Sequence, residues 1–195
     1  MISVIEESKT PSAIMGMSYY PEFLTSEQEA SLLAFVDSQP WNDTLSRATQ
    51  HYGYRYDYTV RQLDMSHHLG PLPAPLQEVG TRLVDAGYFA KLPEQVIVNE
   101  YLPGQGIAAH IDCVPCFGSA IASLTLGSGC TMDFTQSATL EKVSLYLEPR
   151  SLVVLAATAR YDWRHGIAGR RSDRVAGVVC ARGRRVSLTF RTVVL

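Results

Sequence analysis

His110-Ile-Asp112 sets an imidazole and a carboxylate two residues apart. In a strand, side chains at that spacing share a face, so both groups project into the same space. A later strand carrying Trp163-Arg164-His165-Gly166 supplies a second imidazole. Two histidines and one carboxylate cover one face of an octahedral metal and leave three positions open, an arrangement suited to non-haem Fe(II). The His-x-Asp pattern is short and arises by chance, and the chain holds five histidines. The triad therefore needs support from elsewhere in the sequence.

That support comes from the C-terminal strand. In Arg185-Val-Ser-Leu-Thr-Phe-Arg191, the residues Arg185, Ser187, Thr189 and Arg191 face one side and Val186, Leu188 and Phe190 the other. Buried guanidinium groups are costly unless paired. Two readings follow: an edge strand with a solvated arginine face, or an interior face that binds a dicarboxylate through forked hydrogen bonds. Asn99-Glu100-Tyr101 puts an amide and a phenol on a common face of an earlier strand, where both can hydrogen-bond carboxylate oxygens.

The elements that must position these groups fall into two halves. Residues 1–16 are expected to be a flexible leader and 17–195 a single domain. A first short strand is expected over residues 19–23. Ser26 and Glu29 suggest a capping box, followed by a helix with Leu32, Leu33 and Val36 on one face, ended by Pro40. Residues 51–58, HYGYRYDY, suggest strand and loop. A second helix is expected to start near Pro75, with Leu76, Val79, Leu83 and Val84 as its apolar face. Beyond Pro93, strands are expected at 96–101, 107–112, 121–126, 130–134, 143–147, 152–156 and 186–194. The fold class is α+β, mainly β: a β-sandwich or jelly roll flanked by N-terminal helices.

The 46% hydrophobic and 18% charged composition of the 195 residues excludes disorder. No apolar run is long enough to span a bilayer, and the N-terminus lacks a signal-peptide pattern, so a cytoplasmic location is the default. Cys113-Val-Pro-Cys116 has no matching second pair for zinc, and free thiols in a loop are expected. The net charge is −2, yet residues 160 to 191 hold nine arginines against Asp162 and Asp173, which makes that segment +7 and the remainder −9. Either this segment forms a basic face that tracks phosphates, or its arginines divide between solvent and an anionic co-substrate.

Taken together, Asn99-x-Tyr101, Pro103-Gly104-x-Gly106-Ile107-x-x-His110-x-Asp112, His165-Gly166-Ile167 and Arg185-x-Ser187-x-x-Phe190-Arg191 resemble the AlkB family of Fe(II)- and 2-oxoglutarate-dependent dioxygenases. Residues 123–134 and Arg160-Tyr161-x-Trp163 are most similar to the branch containing the tRNA-modifying AlkB homologue. The resemblance covers roughly residues 50 to 195. It implies a double-stranded β-helix, with iron held by His110, Asp112 and His165. It implies that Arg191 and Asn99 hold the C1 end of 2-oxoglutarate, while Arg185, Ser187 and Tyr101 hold its distal carboxylate. The implied reaction uses O2, converts 2-oxoglutarate to succinate and CO2, and hydroxylates a C–H bond; a hydroxylated N-alkyl group then leaves as aldehyde.

The DNA-repair members carry an acid two residues after the metal carboxylate, set against a cationic base; Val114 stands there in this chain. The expected substrate is a modified nucleobase in RNA or DNA, with a protein side chain or small metabolite as the alternative. Tyr54, Arg55, Tyr56, Val114, Arg160 and Trp163 are the expected substrate-facing residues, Tyr54 and Tyr56 as stacking surfaces for a flipped base. HYGYRYDY is equally consistent with a structural strand. A monomer is expected.

Overall fold

The computed structural model describes residues 14–57 and 62–195. Most of the expected leader and Tyr58, the last residue of the tyrosine-rich run, lie outside the described residues.

A six-stranded antiparallel sheet orders its strands β1 (Met17–Tyr20), β8 (Leu152–Ala156), β5 (Phe117–Gly127), β12 (Arg185–Val193), β3 (Gln95–Tyr101) and β2 (Thr49–Tyr52). Facing it, a four-stranded sheet runs β4 (Ile107–His110), β9 (Trp163–Ile167), β6 (Cys130–Gln136) and β7 (Lys142–Leu147). From β3 onward the chain crosses between the sheets: β3 large, β4 small, β5 large, β6 and β7 small, β8 large, β9 small, β12 large. That winding is a jelly roll, the double-stranded β-helix expected above.

The alternation of β12 decides which layer each residue serves. Val186, Leu188 and Phe190 join Val96, Val98, Ala122, Leu124 and Leu126 in one apolar layer. Two helices cover that layer, α1 (Ser26–Asp37) through Leu32 and Val36 and α2 (Ala74–Asp85) through Leu76, Val79 and Leu83. Each fully buried Leu or Phe contributes on the order of 1.5–3 kcal/mol, so the helical layer locks the large sheet's orientation. The opposite face turns Arg185, Ser187, Thr189 and Arg191 inward, towards the small sheet. Ile121, Val153 and Leu155 meet Met132, Phe134, Leu145 and Leu147 in a second core between the sheets.

Several local expectations are corrected. The capping box belongs to Thr25 and Gln28, one residue earlier than Ser26 and Glu29: the Thr25 side chain accepts from the Gln28 amide, and the Gln28 side chain answers to the Thr25 amide. Helix α1 stops at Asp37, before Pro40. Ile14 is buried, and the carbonyls of Met15 and Gly16 accept from Ala159 and Ala156 amides, so residues 14–16 are docked rather than loose. Among the elements not anticipated are the short helix α3 (Ala157–Tyr161) and a hairpin of β10 (Ser172–Val175) and β11 (Val178–Ala181). Cys113 and Cys116 form a disulfide instead of free thiols.

The basic run is also redistributed. Arg160, Arg182, Arg185 and Arg191 are buried. Arg182 pairs with Asp173, Arg184 with Asp37 and Glu100, and Arg170 with Asp133 and Asp173. The nine arginines therefore do not share one solvent-facing surface.

Candidate active site

His110 ends β4 and His165 sits directly opposite it on β9, with ring centroids 4.5 Å apart. Gly166 makes this approach possible, because a side chain there would run into the Ala109 backbone. Asp112 lies beyond the end of β4, in the turn towards β5, so it does not share a strand face with His110 as the spacing suggested. The turn nonetheless brings its carboxylate Oδ1 to 3.6 Å from the His110 Nε2. One ligand atom from each of His110, Asp112 and His165 lies within 4.8 Å of the others. The His110 Nδ1 meets the Ala108 carbonyl at 2.8 Å. That bond calls for the proton on Nδ1 and leaves the Nε2 lone pair for a metal.

Electrostatics favour an ionised Asp112 and a neutral His165. Burial alone would raise the Asp112 pKa, but Arg191 and both histidines hold it well below the usual carboxylate range. Burial pulls His165 down to about 4, against the opposing pull of Asp112. Arg191 bonds both carboxylate oxygens, Nε to Oδ2 at 3.2 Å and Nη2 to Oδ1 at 3.3 Å, and its Nη1 donates to Gln95 Oε1 at 3.0 Å.

Arg160 holds the same turn from the other side. Its guanidinium donates to the carbonyls of Asp112 (3.0 Å), Cys113 (3.3 Å) and Gly118 (3.3 Å). Its side chain thus bears on the backbone of Asp112 and is itself buried.

A cavity of about 800 Å³ opens from the triad along the inner face of the large sheet. Register aligns Thr49, Asn99, Ser187 and Thr125 in one row, with Tyr101 and Arg185 in the next. Arg185 is buried; its Nη2 donates to Thr125 Oγ1 at 2.9 Å, while Nε and Nη1 have no acceptor. A buried guanidinium with two unsatisfied donors is costly, and a carboxylate of a bound dicarboxylate would satisfy both. The donor set of the triad fits Fe(II), and the Arg185 donors fit 2-oxoglutarate.

The remaining expected site residues separate. Tyr56 and Val114 line the cavity, and the Tyr56 ring packs against Phe117 at 5.7 Å. Gly53, at φ +75, turns the chain from β2 into the Tyr54–Tyr56 loop, where a side chain would collide with the Glu94 carbonyl. Tyr54 lies at a second hollow, against His68, with ring centroids 4.8 Å apart, and Arg55 is exposed. Trp163 is buried in the inter-sheet core. Arg47, Gln95 and His51 were not anticipated. Arg47 lines the cavity and donates to Asn99 Oδ1 at 2.8 Å. The His51 Nδ1 accepts from the Tyr56 amide at 3.2 Å.

One chemistry uses both ends of this cavity, the N,N,O metal face and the unsatisfied guanidinium: that of a non-haem iron enzyme with a carboxylate co-substrate. The fold and site thus define a 2-oxoglutarate-dependent iron dioxygenase. The chain belongs to the 2OG-Fe(II) oxygenase superfamily, whose family model matches residues 16–191, and within it to the AlkB family. It is 34% identical over 191 residues to the uncharacterized protein L905 of Acanthamoeba polyphaga mimivirus, covering 95% of this chain and 89% of that protein. It is 35% identical over 203 residues to the alkylated DNA repair protein ALKBH8 homolog of Arabidopsis thaliana, covering 92% of this chain and 59% of that protein. It is 34% identical to the Mus musculus tRNA (carboxymethyluridine(34)-5-O)-methyltransferase ALKBH8, covering 91% of this chain but only 30% of that protein. Among solved structures, OsALKBH1 superposes with a TM-score of 0.68 at 15% identity, covering 91% of this chain and 96% of that one, a likeness of fold. Fe(II), 2-oxoglutarate and O2 are the family's cofactors and co-substrates. No helix among the described residues is long and apolar enough to cross a membrane.

Proposed function

We propose that this dioxygenase hydroxylates or oxidatively demethylates a modified nucleobase in RNA or DNA. The observation that carries the reading is the cavity itself. At about 800 Å³ it is far larger than a five-carbon dicarboxylate needs and lies in the upper part of the roughly 300–1,000 Å³ range of small-molecule sites. Tyr56 supplies an aromatic wall beside the triad, suited to a planar base. The relatives named for nucleic-acid modification or repair support the same substrate class.

In this reading His110, Asp112 and His165 hold the iron. Arg191 and Asn99 bind the C1 end of 2-oxoglutarate. Arg185, Ser187 and Tyr101 bind its distal carboxylate, and the hydroxyl of Ser187 serves where other members use an amide. When bound, iron with 2-oxoglutarate and O2 inserts one oxygen atom into a substrate C–H bond, the other oxygen leaving in succinate as CO2 is released. The protein's own part is to orient the two reactants and to exclude water with Ile121, Val153 and Leu155.

A second reading, a protein side chain or small metabolite as substrate, is favoured by two observations. Val114 offers no charge to a cationic base, and four of the nine arginines of residues 160 to 191 are buried away from any solvent-facing basic surface. Mass spectrometry of methylated RNA and DNA oligonucleotides after incubation with the enzyme decides between them. A new hydroxylated or demethylated base, lost in His110→Ala, supports the first reading. No base product, alongside succinate formation in the absence of any prime substrate, moves the assignment to the second. Oligonucleotide binding that does not weaken with salt would also count against the first.

A further inference from the structure

We propose that Arg47 is a positioning residue for 2-oxoglutarate: it fixes the side-chain amide of Asn99 in the one orientation that can bind the co-substrate. The inference rests on the assignment of Asn99 to the carboxylate end of 2-oxoglutarate.

The argument turns on donors and acceptors. A guanidinium has five N–H donors and no acceptor. The Arg47 Nε lies 2.8 Å from the Asn99 Oδ1. Were the amide turned over, its NH2 would face the guanidinium, donor against donor. Arg47 therefore selects the flip that aims Oδ1 at the guanidinium and leaves Nδ2 as the group available to a ligand in the cavity that both residues line. A carboxylate accepts hydrogen bonds and cannot donate one when ionised. Only the flip with Nδ2 available attracts it, and the turned amide would set Oδ1 against it.

The backbone that carries Arg47 is held on both sides. The Ser46 carbonyl accepts from the Gln105 side chain at 2.6 Å, and the Ala48 carbonyl accepts from the Glu100 amide at 2.9 Å. The segment before β2 is thus pinned on both sides of Arg47, in register with β3, where Thr49 faces Asn99. Asn99 itself is buried between Thr49 and Ser187. Such an amide has few alternatives to the two flips, and the neighbouring guanidinium decides between them.

The test is a double-mutant cycle on equilibrium binding of 2-oxoglutarate to the Mn(II)-loaded protein, read by calorimetry, with thermal melts to confirm folding. Arg47→Ala is expected to weaken binding about tenfold, the loss of one charge-assisted hydrogen bond. Arg47→Lys, which keeps a donor, should recover part of that loss. In an Asn99→Ala background, Arg47→Ala should change affinity less than about twofold. If Arg47→Ala weakens binding equally in both backgrounds, Arg47 acts by its own charge and the proposal fails while the role of Asn99 stands. If Asn99→Ala alone leaves affinity unchanged, the assignment of Asn99 fails first. If folded Arg47→Ala binds as the parent does, the proposal is overturned outright.

Discussion

The carboxylate of Asp112 and the guanidinium of Arg191 are joined by two hydrogen bonds, 3.2 and 3.3 Å long, in a buried site. The carboxylate proposed for the metal and the arginine proposed for the co-substrate thus share one electrostatic unit. Both sites must then feel any change in either residue.

Removing Arg191 leaves a buried carboxylate without its principal counter-charge, a change that costs about 3–5 kcal/mol. Arg191→Met is therefore expected to lower the denaturation midpoint strongly in the presence of a chelator. A divalent cation at the triad supplies positive charge to the same oxygens, so Mn(II) should stabilise the variant more than it stabilises the parent. Urea melts with EDTA and with Mn(II) measure this. An equal loss under both conditions would show that Arg191 does not share the charge of Asp112 with the metal.

Arg160 is expected to behave as part of the metal site although it touches no ligand side chain. Its three carbonyl acceptors belong to Asp112, Cys113 and Gly118, and it lies on α3, just before the strand that carries His165. It ties the segments bearing two ligands together. Arg160→Ala should destabilise the fold by about 2–4 kcal/mol, since buried carbonyls lose their donors, and should weaken Mn(II) binding by about tenfold or more. Arg160→Lys should recover stability in part but not the geometry of three acceptors. Unchanged Mn(II) affinity in a folded Arg160→Lys variant would reduce Arg160 to a structural residue.

The difference between what could and could not be read from the sequence follows from how far apart the interacting groups lie along the chain. Strand β12 was legible because one of its faces packs against helices and the other turns its polar side chains into the cavity, so its alternation is complete. The triad was legible because Asp112 follows His110 closely, even though the reason given, a shared strand face, does not hold. Arg160 carried no such signal: its acceptors lie 42 to 48 residues away, and nothing local distinguishes a buried arginine from a solvated one. Counting charge along residues 160 to 191 suggested one basic face for the same reason. The fold sends Arg185 and Arg191 inward, pairs Arg182 with Asp173 of the same run, and pairs Arg184 with Asp37 and Glu100 from other segments. Arg47 was missed because its meaning depends on Asn99, 52 residues on.

The Cys113–Cys116 disulfide closes a four-residue turn next to Asp112. Loop-closure entropy for so short a loop is worth about 2 kcal/mol at most. Cys113→Ser with Cys116→Ser is expected to lower stability by up to that amount under oxidising conditions. Adding an excess of a dithiol reductant should bring the parent down to the variant and leave the variant unmoved. Val114 and Pro115 of this turn line the cavity, so binding of the prime substrate should weaken in parallel. A parent protein whose melting point ignores the reductant would show that the bridge contributes no stability.

His51 should make the protein sensitive to mild acid. Burial, reinforced by Arg191, Arg55 and Arg47, pulls its pKa from 6.5 down to about 4. Its Nδ1 meanwhile accepts the Tyr56 amide, which requires an unprotonated nitrogen. Between these two pKa values the unfolded chain takes up a proton that the folded protein refuses, so stability rises with pH. The contribution is fully present above about pH 6.5, falls as pH drops towards 4 and then levels off, up to about 3 kcal/mol in all. His165 adds a slope of the same sign in chelator, so the difference between parent and variant isolates His51. His51→Asn keeps an oxygen in place of Nδ1 and removes the titration. Denaturant melts at pH 7, 6, 5 and 4 in chelator should show a shallower loss for the variant, and parallel curves would place the acid sensitivity elsewhere.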